Sequence, residues 1–158
     1  MISTPLSSLD AKVEELILRY PVSKRSVAMP VLHLIQETYG SISKESIEWA
    51  ANKLGLQPVH LLELVTFYPM YRQNSVGKYH IKVCRTLPCA LNGGGELCDH
   101  LLKKLNVSLD ETTQDGKFTV SHVECIASCG TAPVIQVNDD LYEGVTPQKA
   151  DEILDKCQ

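Results

Sequence analysis

CIASCGTAP, residues 125–133, carries two cysteines four positions apart, a glycine directly after the second, and a proline at its close. A segment this short and this broken by glycine and proline is neither helix nor strand. Something other than backbone regularity must account for two thiols held so close. A disulfide, a zinc ion, a redox couple and an iron–sulfur cluster are the four candidates, and the surrounding sequence separates them.

Working outward, a second pair appears in CRTLPC (Cys84, Cys89), and each pair follows a segment that alternates in the manner of a strand. KYHIKVC (78–84) and KFTVSHVEC (117–125) are rich in β-branched and aromatic residues at period two. If these two strands are parallel neighbours, Cys84 and Cys125 lie at ends that meet, and both cysteine loops leave the same edge of the sheet. Four thiols then surround one small volume. Thiolates are soft ligands that suit zinc or iron–sulfur centres, and a [2Fe–2S] cluster takes four of them. The spacing disfavours the rivals. Structural zinc usually uses C-x₂₋₄-C pairs, so C-x₄-C with C-x₃-C is allowed but off the commonest pattern. A thioredoxin-type couple needs C-x-x-C, which this chain lacks. A Rieske centre needs two histidines, and neither loop contains one. Gly93, Gly94 and Gly95 after the first pair and Gly130 after the second let backbone N–H groups approach sulfur. Pro88 and Pro133 stiffen the loops.

Bulk properties agree. The chain has 158 residues, 44% of them hydrophobic, and a net charge of −4. That excludes an extended disordered chain and argues against a nucleic-acid binder, which needs a basic face for phosphate. The opening MISTPLSSLDAKVEEL has no basic region followed by an apolar one, so no signal peptide is expected. The longest mostly apolar run, VAMPVLHLI, falls well short of the ~20 residues of a membrane span. A cytoplasmic protein follows, with no direct membrane insertion. In that reducing compartment, disulfides are disfavoured and spaced cysteines serve metals or redox chemistry.

The chain divides by character into two expected domains, 1–77 and 78–158. The first has no cysteine and balanced charge. It is expected to form four helices: SSLDAKVEELILRYP with serine and aspartate caps, KRSVAMPVLHLIQETYG closed by Gly40, SKESIEWAANKLGL capped by Ser43 and stopped by Gly55, and QPVHLLELVTFYPMY opened by Pro58. Short connections favour an antiparallel bundle. The second carries the whole −4 charge and all six cysteines. It alternates: strand, the glycine-opened helix GGGELCDHLLKKLNV, strand, strand APVIQVNDD, a hairpin continuation, and a last helix capped by Thr146. The expected fold class is α+β in two parts, a helical bundle followed by a thioredoxin-like α/β unit. Cys98 falls on the leucine side of its helix and is expected to be a buried thiol. Cys157, beside the C-terminus, is expected to be idle. His33 and His60 lie in helices without a second ligand one turn on, and packing is their expected use. Trp49, Phe67, Tyr68 and Tyr71 are divided between core filling and a docking patch.

CRTLPCALNGGG and VECIASCGTAPVIQVNDDLYEGVTP resemble the cluster-binding region of the E-subunit family of NADH-quinone oxidoreductase, respiratory complex I. YPVSKRSVAMPVLHLIQETYG and VTFYPMY resemble the same family's N-terminal helical segment, so the likeness spans nearly the whole chain. The triple glycine after the first pair is a mild departure. The resemblance implies a thioredoxin-like [2Fe–2S] ferredoxin domain behind a helical domain, with one [2Fe–2S] cluster on Cys84, Cys89, Cys125 and Cys129. It implies a non-catalytic electron-transfer subunit of NADH:quinone oxidoreductase, docked on the flavin-bearing NADH-oxidising subunit and peripheral on the cytoplasmic side of the membrane through the complex. FMN and NADH are expected on that partner only, because this chain lacks a G-x-G-x-x-G fingerprint. The isolated chain is not expected to bind NADH or turn over. The equivalent subunit of an NAD-linked hydrogenase or formate dehydrogenase, a zinc-stapled non-redox interaction module, and a homodimer of the isolated chain stay open at this point.

Overall fold

The computed structural model describes residues 5–157. Residues 1–4 and 158, the outer ends of the two expected domains, lie outside the described residues. The chain forms two compact units, Met1–Ser75 and Val76–Gln158.

The first unit is helical: α1 (Asp10–Leu18), α2 (Ala28–Tyr39), α3 (Lys44–Leu54) and α4 (Pro58–Phe67). Each boundary has a local cause. Gly40 and Gly55 close α2 and α3 at φ +78° and +67°, a region costly for residues with a Cβ. Ser43 caps α3, its hydroxyl accepting from the Ser46 N–H at 3.2 Å. Pro58 sits in the first turn of α4, where a missing N–H costs nothing. The expected serine or aspartate cap on α1 is absent. The chain enters α1 through a 3-10 turn (Leu6–Leu9), so Leu9 is already helical at φ −90°, ψ −7° and no extended capping residue precedes the helix. Val13, Val27, Val31, Leu32, Ile35, Ala50, Ala51, Leu54 and Leu61 form the core of this unit. Of the four aromatics named above, Tyr71 joins that core and donates from its hydroxyl to the Met29 carbonyl at 3.2 Å, whereas Phe67 faces solvent.

The second unit is built on a four-stranded sheet, β1 (Tyr79–Cys84), β2 (Phe118–Val123), β3 (Ile135–Val137) and β4 (Asp140–Tyr142), in the order β2-β1-β3-β4. Strands β1 and β2 are parallel, with Cys84 opposite Val123; β3 is antiparallel to β1, and β4 to β3. The crossover from β1 to β2 runs through α5 (Leu87–Leu91) and α6 (Gly94–Leu105), and α7 (Pro147–Lys156) follows the hairpin. Ile81, Val83, Leu97, Cys98, Leu101, Val120, Ile135, Ile153 and Leu154 make its core. Cys98 is buried there as expected. Cys157 is buried too, packed in the same core with its thiol donating to the Ile153 carbonyl at 3.3 Å. The hairpin turn falls on Asn138 and Asp139, with Asn138 at φ +54°. Asparagine adopts this left-handed conformation more readily than most residues with a side chain.

Candidate metal centre

Parallel pairing of β1 and β2 carries both cysteine segments to one sheet edge. Cys84 is the last residue of β1. Strand β2 ends at Val123, two residues short of the expected boundary; the last rung of the ladder is the Arg85 N–H on the Val123 carbonyl (3.1 Å), and the chain leaves the sheet before Cys125. Cys89 lies on the one-turn helix α5, not in a loop. Cys129 opens a 3-10 turn, Cys129–Thr131. Beyond it the Ala132–Pro133 peptide is cis.

The thiols form two pairs. Cys84 and Cys89 are buried at 2% exposure each, and they pack with Val134 against Val123, Ile126 and Ala132. Cys125 and Cys129 are exposed, their sulfurs 3.8 Å apart. The pairs are connected: the Ile126 N–H, within the second cysteine segment, donates to Cys84, and the Val134 N–H donates to Cys89. The Ala127 N–H points at Cys125 Sγ at 3.3 Å, and Ala127 itself adopts φ +64°. Thr86 Oγ1 stands 3.3 Å from Cys84 Sγ. Neither Thr86 nor these N–H groups was identifiable from spacing alone. Thr86 is the most accessible of them to sequence reasoning, since a hydroxyl two residues after a ligand cysteine is within reach of its sulfur.

Electrostatics distinguish the sulfurs. Burial pushes the Cys84 thiol up, but hydrogen bonds from Thr86, Cys89 and Ile126 outweigh it and hold Cys84 below the ordinary 9.0. Burial, then the hydrogen bond to Cys84 and the negative charges of Cys84 and Cys129, push Cys89 up. Cys129 is pushed up chiefly by its hydrogen bond to Cys125 and by that neighbour's charge. Cys89 and Cys129, each pushed up in part by neighbouring thiolate charge, need a positive centre to ionise beside their neighbours, and a metal supplies it.

Gly94 explains why a helix can begin so close. A Cβ there would lie 2.8 Å from the Cys89 carbonyl oxygen and 3.2 Å from that of Cys84. Among the described residues, no three His, Cys, Asp or Glu side chains gather about one point tightly enough for a single ion. The four thiols stand as two connected pairs, and with the N–H and hydroxyl donors around them they fit a centre of two irons, each needing two protein sulfurs.

The profile of the thioredoxin-like [2Fe-2S] ferredoxin family matches residues 13–158. The chain belongs to that family. Among its relatives, the E subunit of NADH-quinone oxidoreductase from Rickettsia conorii (strain ATCC VR-613 / Malish 7) is 46% identical over 147 residues, 92% of this chain and 88% of its own. Its counterpart from Mycobacterium bovis (strain ATCC BAA-935 / AF2122/97) is 38% identical over 97% of this chain and 60% of its own. These place it with the members of the ferredoxin family that serve NADH-quinone oxidoreductase. A solved NAD+-reducing [NiFe]-hydrogenase in the air-oxidized state aligns at TM-score 0.71 over 84% of this chain and 23% of that chain. Its 18% identity makes that a likeness of fold alone. Membership of a [2Fe–2S] ferredoxin family implies an iron–sulfur cluster in this chain. Among the described residues, no helix is long and apolar enough to cross a membrane.

Proposed function

We propose that this chain is the [2Fe–2S] electron-transfer subunit of an NADH dehydrogenase module, with Cys84, Cys89, Cys125 and Cys129 as the cluster ligands. The observation that carries the reading is the meeting of two thiol pairs at one sheet edge in a chain of this family. The cluster, when bound, supplies one-electron chemistry, whereas NADH gives up electrons in pairs.

The chain's own residues divide the remaining work. Cys84 and Cys89 hold the inner side from within the protein, where burial excludes water. Cys125 and Cys129 present the outer side to solvent and so to a partner. Thr86 and the N–H groups of Ile126, Val134 and Ala127 donate to sulfur, which stabilises added negative charge and tunes potential. Leu87 and Leu91 stand 69% and 76% exposed on α5, flanking Cys89. Apolar side chains left in water beside a redox site are what a docked subunit covers. The partner in this reading is the flavin-bearing NADH-oxidising subunit, which alone holds FMN and NADH. The helical unit, with Phe67 and Val59 in solvent, serves as a further docking element rather than a folding aid.

Mixing the purified chain with NADH, alone and with the flavin-bearing partner, tests this. Bleaching of the cluster's visible absorption is expected only in the mixture. Bleaching by NADH without the partner, or none with it, would reject the assignment.

A further inference from the structure

Two hydroxyls bracket Cys129, and both end on the same oxygen. Ser128 Oγ donates to Glu143 Oε1 at 2.6 Å, and Thr131 Oγ1 donates to that atom at 2.7 Å. Glu143 arrives from the far side of the hairpin, immediately after β4, and its main chain runs along the cysteine segment. The Gly144 N–H donates to the Thr131 carbonyl (2.7 Å) and the Val145 N–H to that of Pro133 (2.9 Å). From the first turn of α7, the Lys149 ammonium donates to the Glu143 carbonyl. The stretch so tied is otherwise exposed at Cys125, Cys129, Gly130 and Thr131, and its only regular structure is a three-residue 3-10 turn. Hydrogen bonds to an ionised acceptor are the stronger kind. The Glu143 carboxyl is held below the usual carboxylate range by Ser128 and then Thr131, so it is an anion at neutral pH.

We propose that Glu143 is a positioning residue for the iron–sulfur site: by accepting from the two hydroxyls that bracket Cys129, it fixes that sulfur relative to Cys125 and sets a constant negative charge beside the outer half of the site. The inference rests on the ligand assignment of the preceding subsection. Glu143 touches neither sulfur. Its action passes through Ser128 and Thr131, and its charge opposes the arrival of a further negative charge.

The test uses anaerobically purified, cluster-loaded full-length chain and three variants. Glu143→Ala removes acceptor and charge. Iron release to a chelator should quicken by roughly thirtyfold or more, the order expected for two hydrogen bonds of at least ~1 kcal/mol each, and the EPR g-values of the dithionite-reduced protein should move. Glu143→Gln keeps a carbonyl acceptor in place without the charge. It should restore wild-type iron retention and g-values while favouring the reduced form by up to about tenfold, a rise of at most ~59 mV in a one-electron titration. The double variant Ser128→Ala/Thr131→Val cuts both bonds and keeps the charge. It should lose iron as Glu143→Ala does, and it also serves if Glu143→Ala does not fold. A loaded wild type whose variants all keep its potential, g-values and iron retention overturns this inference alone. A wild type that binds no iron overturns the ligand assignment and this inference with it.

Discussion

Replacing Gly94 by alanine is expected to damage the cluster site from a position that bears no ligand. A Cβ on Gly94 would meet the Cys89 carbonyl oxygen at 2.8 Å, the Cys89 carbonyl carbon at 3.1 Å and the Cys84 carbonyl oxygen at 3.2 Å. All three are backbone atoms, so no side chain can swing aside. Either the start of α6 or the one-turn helix carrying Cys89 must move by several tenths of an ångström. Overpacking of this kind costs ~1–3 kcal/mol, against which alanine recovers at most ~1 kcal/mol of helix propensity. The neighbouring Gly95 supplies the control: no heavy atom lies within 4 Å of its Cβ position, so Gly95→Ala should be neutral or stabilise by up to ~1 kcal/mol. The propensity gain is common to both, so the two single-methyl changes, one residue apart, should differ by the overpacking cost of roughly 1–3 kcal/mol. Urea unfolding followed by circular dichroism measures the gap, and iron content of the purified variants measures the effect on Cys84 and Cys89. Equal midpoints and equal iron for Gly94→Ala and Gly95→Ala would refute the close-approach argument.

Individual alanine substitutions of Cys84, Cys89, Cys125 and Cys129 should each abolish the EPR signal of the reduced protein, while Cys98→Ala, which touches only core, should keep it. Ser43→Ala should cost ~1 kcal/mol in urea unfolding through loss of the α3 cap, with iron content unchanged because the cap lies in the other unit. Leu101→Ala, fully enclosed between α6 and the sheet, should cost ~2–5 kcal/mol in the same assay. Asp151 is held below its ordinary 3.8 by His100 and then Lys104. A depressed carboxyl contributes stability that is complete above its unfolded value and disappears as pH falls through its folded value. Asp151→Asn should therefore flatten the loss of stability below about pH 4 and matter most near neutrality, as acid titration of the unfolding midpoint would register.

Much of this arrangement was legible because its causes are local. Gly40, Gly55, Ser43, Pro58 and Thr146 act within one turn of themselves, and each ends or begins a helix as its chemistry requires. The parallel pairing of β1 with β2 could be stated only as a condition, yet period-two alternation in both segments made it a definite one, and the register from Tyr79↔Phe118 to Cys84↔Val123 meets it. What escaped sequence reading depends on distant partners. Strand β2 stops two residues before Cys125, its last rung being the bond from the Arg85 N–H of the neighbouring segment to the Val123 carbonyl. Glu143 reaches Ser128 and Thr131 only because the β3–β4 hairpin folds back across fifteen residues, a distance no motif spans. The Cys89 turn is helical although it is only five residues long, with Pro88 in its first turn and the Asn92 side chain closing on the Pro88 carbonyl at 2.7 Å. Cys157 is buried because α7 packs its C-terminal end into the core, a fact about tertiary placement rather than about sequence position.

The central claim is that two sulfur pairs at the end of β1 and beyond β2 hold a two-iron cluster. Quantitative iron and acid-labile sulfide analysis of the anaerobically purified chain tests it most directly. Both elements are expected, in the equal amounts of the [2Fe–2S] formula, with no stoichiometric zinc. Zinc in place of iron, or iron without sulfide, would contradict it.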